Sequence, residues 1–560
     1  MGLTFAFGRG GTRPPSVTPD IEAPSAPTGL TASSVAQTTL TLTWSASTDN
    51  VGVVGYDVYN GATLDKTVTG LTTSITGLTA NTQYNFTVRA KDAAGNISEP
   101  SNVETVTTLE PIVDDSIYID PTNSASGRNG TIGNPYNSFV ESGIVSNTTY
   151  KLKSNTTLSS TTPLDLANTT NVFITSYEEG DRPIFHYQGG GTSGVNYNNT
   201  VSSMLANLDI MGDLSKSIMA LIQSYSGTNN TIYNCKVHNI RQIGPDGMGI
   251  RGGGTNWKIL NCEVYDCGAD GMYLVGNTNL EVGYCNIHHV NQDYAGAERG
   301  FRSIGMSAPG DGIQLDGNWS NYHIHHTTID RTDAWTGNKF CLIQSSAPTS
   351  NTNSYGLVEY CTFKTRADNN VGWGIFAGFG DGITYRYNTF LGKTAGIRVA
   401  GPASKNYLIH HNVFKECTSG VGIAYNEGSP LNTRVFNNTF YKCSLRGIWV
   451  DRTTVIARNN IYYPDGAGGV GLHSYGGIGV SITQSNCCFE NQETIGNGGQ
   501  GDNAIIGNPL LVDVINNDFH LQAGSPCRNA GVNVSLTEDY YGITIPQETV
   551  TAIGAAEYNI

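Results

Sequence analysis

Residues 258–266 read KILNCEVYD, in which apolar and polar letters alternate and β-branched residues recur. A period of two marks a strand with one buried face. The core of the phrase returns along the chain as NCKV (234–237), NCEV (261–264), YCNI (284–287), HTTI (326–329), YCTF (360–363), YNTF (387–390), HNVF (411–414) and NNTF (437–440). Most intervals are 23–27 residues, with two longer ones between 285 and 361. A fixed period in this range means stacked units, each burying its apolar face only against its neighbours. About 25 residues suit one coil of three short strands and three turns. The expected fold is therefore all-β: a right-handed parallel β-helix with coils about 4.8 Å apart.

The second letter of the phrase is Cys235, Cys262, Cys285, Thr327, Cys361, Asn388, Asn412 or Asn438. Stacking would put these in one inner column, with Asn bonding to neighbours above and below and Cys as a compact filler. Cys267, Cys417 and Cys443 form a second such column. The chain has 11 cysteines, an odd number that excludes complete internal pairing. Buried thiols favour folding in a reducing compartment.

Before the repeat lies a different text. After a Pro-rich lead, TLTLTWSAS, GYDVYNG and SITGLTANTQYNFTVRAKDAAGNISEPS read as short strands joined by turns. Trp44, Tyr56, Tyr59, the Leu78–Tyr84 pair and AKDAAGNIS resemble a fibronectin type III domain over about 24–110. The resemblance implies a spacer or weak binding module. Further on, SIYIDPTNSASGRNGTIGNPYNSF (116–139), DFHLQAGSPCRNAG (518–531) and IGAAEY (553–558) resemble the opening and closing segments of pectate-lyase-like β-helix proteins. The expected order is a leading peptide (1–23), the fibronectin-like module (24–110), an opening segment (111–200), coils (201–490) and a closing segment (491–560). That superfamily includes lyases, hydrolases, adhesins and phage tailspikes, so the likeness implies fold rather than chemistry.

Composition narrows the partners. Only 14% of residues are charged and the net charge is −15, which disfavours nucleic acid. No stretch has the roughly 20 apolar residues of a membrane span. The first twenty residues lack the pattern of a secretion signal.

A second phrase closes each coil: PDGMGIRG (245–252), ADGMYLVG (269–276), GDGIQLDG (310–317), GWGIFAGF (372–379), TAGIRVAG (394–401) and LRGIWVDR (445–452). Its Gly reads as a turn requirement. Asp246, Asp270 and Asp311 are expected in one slot of successive coils. Three stacked carboxylates repel, so turn amides, a raised pKa or a Ca²⁺ ion would have to absorb the charge. Alternation turns Gln314 and Asp316 outward. Aligned on that column, Tyr273, Gln314, Phe376, Arg398 and Trp449 form one stripe, with Arg251, Asp316 and Asp451 beside it. Rings and bidentate polar groups at coil spacing suit an extended glycan; aromatic cover over a sheet is the plainer alternative.

The two long intervals contain Tyr294, Glu298, Arg302, Trp335 and Lys339. Tyr294 and Trp335 are further candidates for sugar contact. As a lyase, Lys339 or Arg302 would abstract a proton. As a hydrolase, two of Asp270, Asp311, Asp316 and Glu298 would be acid and base, or acid and nucleophile. The pairs His288–His289, His325–His326 and His410–His411 are expected at one repeat position, as packing groups.

Three functions follow. The first is a virion-associated, tailspike-like protein that binds bacterial surface polysaccharide, with cleavage left open, and docks to other virion proteins through its leading peptide. The second is a secreted polysaccharide lyase or glycoside hydrolase. The third is a non-catalytic adhesin. Homo-oligomer formation stays open.

Overall fold

The computed structural model describes residues 20–109, 114–240, 247–290, 310–317, 319–332, 341–346, 354–365, 372–378, 380–392, 395–401, 404–424, 432–466, 468–475, 480–491, 499, 501–546 and 550–558. It divides into two compact units, Met1–Asp114 and Asp115–Ile560. Among the described residues no helix is long and apolar enough to cross a membrane.

The first unit is an antiparallel sandwich. Thr28–Ser33, Thr39–Ser45 and Thr72–Thr76 form one sheet. Thr63–Val68, Val53–Asn60, Gln83–Asp92 and Glu104–Thr107 form the other. The alternating apolar letters of TLTLTWS put Leu40, Leu42 and Trp44 inside, where Trp44 meets Tyr56 edge-on with ring centres 5.7 Å apart. The Tyr84 hydroxyl accepts the Thr79 amide at 2.7 Å, which pins the corner after Leu78.

The second unit is a right-handed β-helix of three parallel sheets. Within one coil the chain passes through a strand of each, for example Lys258–Leu260 (first sheet), Glu263–Cys267 (second) and Met272–Val275 (third). Among the described residues the first and second sheets have 14 strands each and the third has 12. The coils run from Ile117–Ile119 to Ile505–Ile506. At the open end, the short helix Phe139–Ser142 lays Phe139 against Tyr150, ring centres 6.0 Å apart, and closes the core.

One device recurs at the corner between the first and second sheets. Asn234, Asn261, Tyr284, His326, Tyr360, Tyr387, His411, Asn437, Asn459 and Asn486 all adopt the left-handed conformation, φ 47° to 56°. Each is followed by the inner-column residue. Cys235, Cys262, Cys285, Thr327, Cys361, Asn388, Asn412 and Asn438 are at most 3% exposed. The asparagines form a ladder: Nδ2 of Asn388, Asn412 and Asn438 donates to Oδ1 of the next Asn at 3.0, 3.0 and 3.1 Å, ending on Asn460. Each Oδ1 also accepts the backbone amide of the coil before it. No buried amide is left open along that run, which would otherwise cost about 1–3 kcal/mol per group. All 11 cysteines are unpaired and buried.

A second inner stack runs two residues further into each coil. Phe363, Phe390, Phe414, Phe440, Tyr462 and Phe489 lie face to face with centres 4.7–5.1 Å apart. Opposite them stand Gly374, Gly396, Gly420, Gly447 and Gly471, and a Cβ at any of these would overlap a ring of the stack. At Gly271 and Gly312 a Cβ would strike Ile287 and Ile329 instead. None of these glycines has a positive φ. The expectation that this Gly serves a turn is therefore corrected: it makes room for the opposite wall of the core.

The closing segment first adds Ile505–Ile506 to the last coil, against Cys488–Phe489. It then runs back along the outside of the second sheet and covers Val413, Thr439, Ile461 and Cys488 with Phe519, Leu521, Cys527, Ile553 and Ala555. Asn437 Nδ2 donates to the Ala552 carbonyl at 3.2 Å, and the Gly554 amide donates to the Asn459 carbonyl at 2.7 Å.

The glycine–ring packing gives a direct test. Gly420→Ala should destabilise the β-helix by about 1–3 kcal/mol, the usual cost of overpacking a rigid core. Combined with Phe440→Leu, which frees the space, its additional cost should shrink. Chemical denaturation of both single variants and the double variant measures that coupling; strictly additive costs would refute the packing explanation.

Candidate functional site

The third sheet carries the candidate site. Its register aligns Gln223, Arg251, Tyr273, Gln314, Gln344, Phe376, Arg398, Gly422, Trp449 and His473 in one row, one residue per coil. Tyr273, Gln314, Phe376, Arg398 and Trp449 thus share a row. Arg251 belongs in it and not beside it. Gln344 joins it from the coil after the second long interval. Asp316 and Asp451 stand two residues further along their strands, on the same face.

Two clusters form along the row. In the first, the Arg251 guanidinium lies 4.8 Å from the Tyr225 ring centre and 5.4 Å from that of Tyr273. The Tyr273 hydroxyl donates to Asp316 Oδ2 at 2.5 Å. In the second, Arg398 sits among Trp373, Phe376 and Trp449, at 5.4, 5.6 and 6.0 Å. Gly422 makes this possible: the Trp449 indole lies where its Cβ would be, and so reaches back toward Arg398. Tyr475 extends the aromatic surface, edge-on to Trp449 at 5.7 Å and 40% exposed. Five coil steps separate Arg251 from Arg398, about 24 Å at 4.8 Å per step. Between the clusters Gln314 is 7% exposed and is largely withdrawn from solvent.

The Asp slot at the start of the strands behaves differently. Register pairs Ile250 with Met272, so Met248, not Asp246, stands opposite Asp270. The described carboxylates of the slot are Asp270 and Asp311; the extra Gly in PDGMGIRG shifts the alignment by two. Neither group has to share a cation. Asp270 Oδ1 accepts the Asp311 amide at 2.6 Å, and Asp311 Oδ1 accepts the Cys341 amide at 2.7 Å. Each carboxylate caps the backbone of the next coil. Asp311 is 1% exposed. The buried Arg331 donates to the Gly310 carbonyl and its charge favours both carboxylates in ionised form. Burial is the larger effect. It pushes Asp270 up to about 7, and burial together with the Asp270 charge pushes Asp311 upward too.

Asp246, Tyr294, Glu298, Arg302, Trp335 and Lys339 lie outside the described residues. Among the described residues, the only three acid, thiol or imidazole side chains close enough to share a metal ion are Asp20, Asp49 and Asp92, in the first unit.

The histidine pairs do not share one position. His325–His326 and His410–His411 end first-sheet strands, whereas His288–His289 ends a second-sheet strand. Their second members are left-handed, so the two rings of each pair face one another, Nδ1 to Nδ1 at 3.1, 3.0 and 2.5 Å. Such contacts require a neutral acceptor nitrogen. Burial holds His410 well below its usual range and His411 down at about 3, so that pair is neutral.

The Asp pair sets a pH dependence. A carboxyl raised in the folded state holds its proton there after the unfolded chain has lost it. Stability is then greatest at low pH and falls as pH rises from 3.8 to about 7. Asp270→Asn keeps an acceptor for the Asp311 amide and removes one charge. Its thermal midpoint should vary less than wild type between pH 5 and pH 7.5, as differential scanning calorimetry would show; an unchanged slope would remove Asp270 as the cause.

Known proteins divide the chain in the same way. Residues 25–107 match the Fibronectin type III domain family. Residues 193–356 match the family Right handed beta helix region, and residues 295–505 match Periplasmic copper-binding protein (NosD). Chitinase A1 of Niallia circulans is 54% identical over 118 residues, 21% of this chain and 16% of that protein. Exoglucanase B of Cellulomonas fimi is 50% identical over 121 residues, 21% of this chain and 11% of that protein. Among solved structures, Chitinase ChiA74 from Bacillus thuringiensis is 37% identical over 17% of this chain and 15% of that chain, with a TM-score of 0.16. The chain thus spans less than a fifth of the length of these relatives, and the part shared with the two enzymes is the fibronectin module. The protein consists of a fibronectin type III domain followed by a right-handed β-helix.

Proposed function

We propose that this is an extracellular bacterial protein that holds an extended polysaccharide along the outer row of the third sheet. The observation that carries the reading is the row itself. Arg251, Tyr273, Phe376, Arg398 and Trp449 stand in register on a rigid scaffold, half-buried, with rings and guanidinium groups facing one way. Sugar faces stack on rings, and planar guanidinium groups take hydroxyl or carboxylate pairs. A chain spanning both clusters would be immobilised at two points about 24 Å apart, which suits a polymer better than a small sugar.

The relatives support the extracellular, carbohydrate-directed part of this reading. They are named as bacterial chitinases and exoglucanases, and the module they share with this chain is one that such proteins carry. Nothing among them points to a virion, so the tailspike expectation gives way to its alternative. Eleven free thiols are compatible with an oxidising exterior because all are sealed in the protein interior.

Cleavage is the second reading. Asp316 presents a carboxylate beside the row and accepts the Tyr273 hydroxyl, an arrangement open to acid–base work. Lyase and glycoside hydrolase chemistry are told apart by product: unsaturated uronates absorb in the ultraviolet, whereas hydrolysis yields reducing ends alone.

Affinity electrophoresis of the full chain against a panel of neutral and acidic polysaccharides tests the binding. Trp449→Ala should weaken retention by the cognate glycan roughly tenfold or more, the loss expected of a central aromatic anchor. Gln314→Ala should change it far less. Retention by no glycan, or equal retention of wild type and Trp449→Ala, would remove the row as a binding surface.

A further inference from the structure

The fibronectin module holds a group that its role as a spacer does not use. Asp20 lies just before the first strand, Asp49 in the turn between Thr39–Ser45 and Val53–Asn60, and Asp92 at the end of Gln83–Asp92. One oxygen of each comes within 4.8 Å of the other two. Local amides aim the carboxylates. Asp49 Oδ2 accepts the amides of Val51 and Gly52 at 2.9 and 2.7 Å. Asp92 Oδ1 accepts those of Gly95 and Asn96, both at 2.8 Å. Asp20 Oδ1 accepts the Glu22 amide and Asn50 Nδ2, both at 3.2 Å.

Two oxygens of the group are left without a donor. Asp20 Oδ2 and Asp49 Oδ1 are sealed from solvent and accept no hydrogen bond among the described residues. Asp92 is only 4% exposed, and its Oδ2 accepts Asn96 Nδ2 at 2.7 Å. Among the described residues no lysine or arginine is ion-paired with the group, and Lys91, next to Asp92 in sequence, is engaged by Asp57 at 2.9 Å. Anionic oxygens withdrawn from water without a donor are strongly unfavourable unless a positive charge replaces the water.

We propose that Asp20, Asp49 and Asp92 bind a calcium ion. The donors are all carboxylate oxygens, the choice of a hard divalent cation. At Ca–O distances of about 2.3–2.6 Å, opposite ligands stand roughly 5 Å apart, so three oxygens within 4.8 Å of one another can share one ion. Mg²⁺, at about 2.0–2.1 Å, would draw opposite ligands to about 4 Å and keeps more of its water. The ion would fasten the segment before the first strand to two turns of the sandwich, where Asn96 Nδ2 already donates to the Asp20 carbonyl at 3.2 Å.

Isothermal titration of CaCl₂ into chelator-stripped full-length protein tests this, together with calorimetric unfolding with and without Ca²⁺. Wild type should bind Ca²⁺, and the midpoint of the module's transition should rise by roughly 10 °C when Ca²⁺ stands about 100-fold above its Kd. Asp20→Ala and Asp49→Asn should each weaken binding at least tenfold and abolish most of the shift. Asp20 lies outside the strands, so its variant should retain the near-ultraviolet signal of Trp44; should Asp49→Asn fail to fold, Asp20→Ala decides alone. Absence of Ca²⁺ binding by wild type, or wild-type affinity in Asp20→Ala, would overturn the assignment.

Discussion

The β-helix depends on a single backbone corner repeated in register. At the junction of the first and second sheets one residue per coil takes a left-handed conformation, and the next residue enters the inner column. For a residue other than Gly this conformation costs about 1–2 kcal/mol. Asn tolerates it best, and Asn fills both ends of the series. In the middle the corner is held by Tyr284, His326, Tyr360, Tyr387 and His411, of which the tyrosines have no such tolerance. Their rings stack on one another with centres 4.7, 4.9, 4.9 and 5.8 Å apart. Each such contact contributes about 0.5–1.5 kcal/mol, enough to offset most of the strain. Coil-to-coil stacking therefore both requires the corner and supports it.

Register fixed at the corner propagates to the other two sheets. It sets Phe on one wall of the core against Gly on the other, since a ring and a Cβ cannot occupy the same place. It also carries the outer row of the third sheet. Trp449 reaches Arg398 because Gly422 stands between them in the same row, so the aromatic cluster is a product of the coil repeat as much as of local sequence. A slip of one residue anywhere would turn that row inward.

The coil architecture was legible because it is periodic. KILNCEVYD and its copies carry the alternation, the corner and the inner column in four letters. The outer row was legible for the same reason, through the copies of the closing phrase. What failed was local exception. PDGMGIRG contains three glycines, the first two of which each align with the repeated Gly of its neighbours, and only the pairing of Ile250 with Met272 shows which one does. That choice placed Met248 opposite Asp270 and moved Arg251 into the row. The meaning of the repeated Gly was hidden because its constraint is a ring a full sheet away. The histidine pairs looked equivalent as letters, yet they end strands of different sheets. The acidic trio of the sandwich was invisible to spacing: Asp20, Asp49 and Asp92 are brought together only by the antiparallel pairing of the module.

The returning C-terminal segment changes how a stack of this kind comes apart. Repetitive folds tend to fray from their ends, because a terminal coil has a neighbour on one side only. Here the last coils are laced along their flank by a strap anchored on Asn437, Thr439 and Asn459. Peeling must first detach the strap from several coils at once, so the late end of the solenoid loses its piecemeal route to unravelling and opens as one cooperative block.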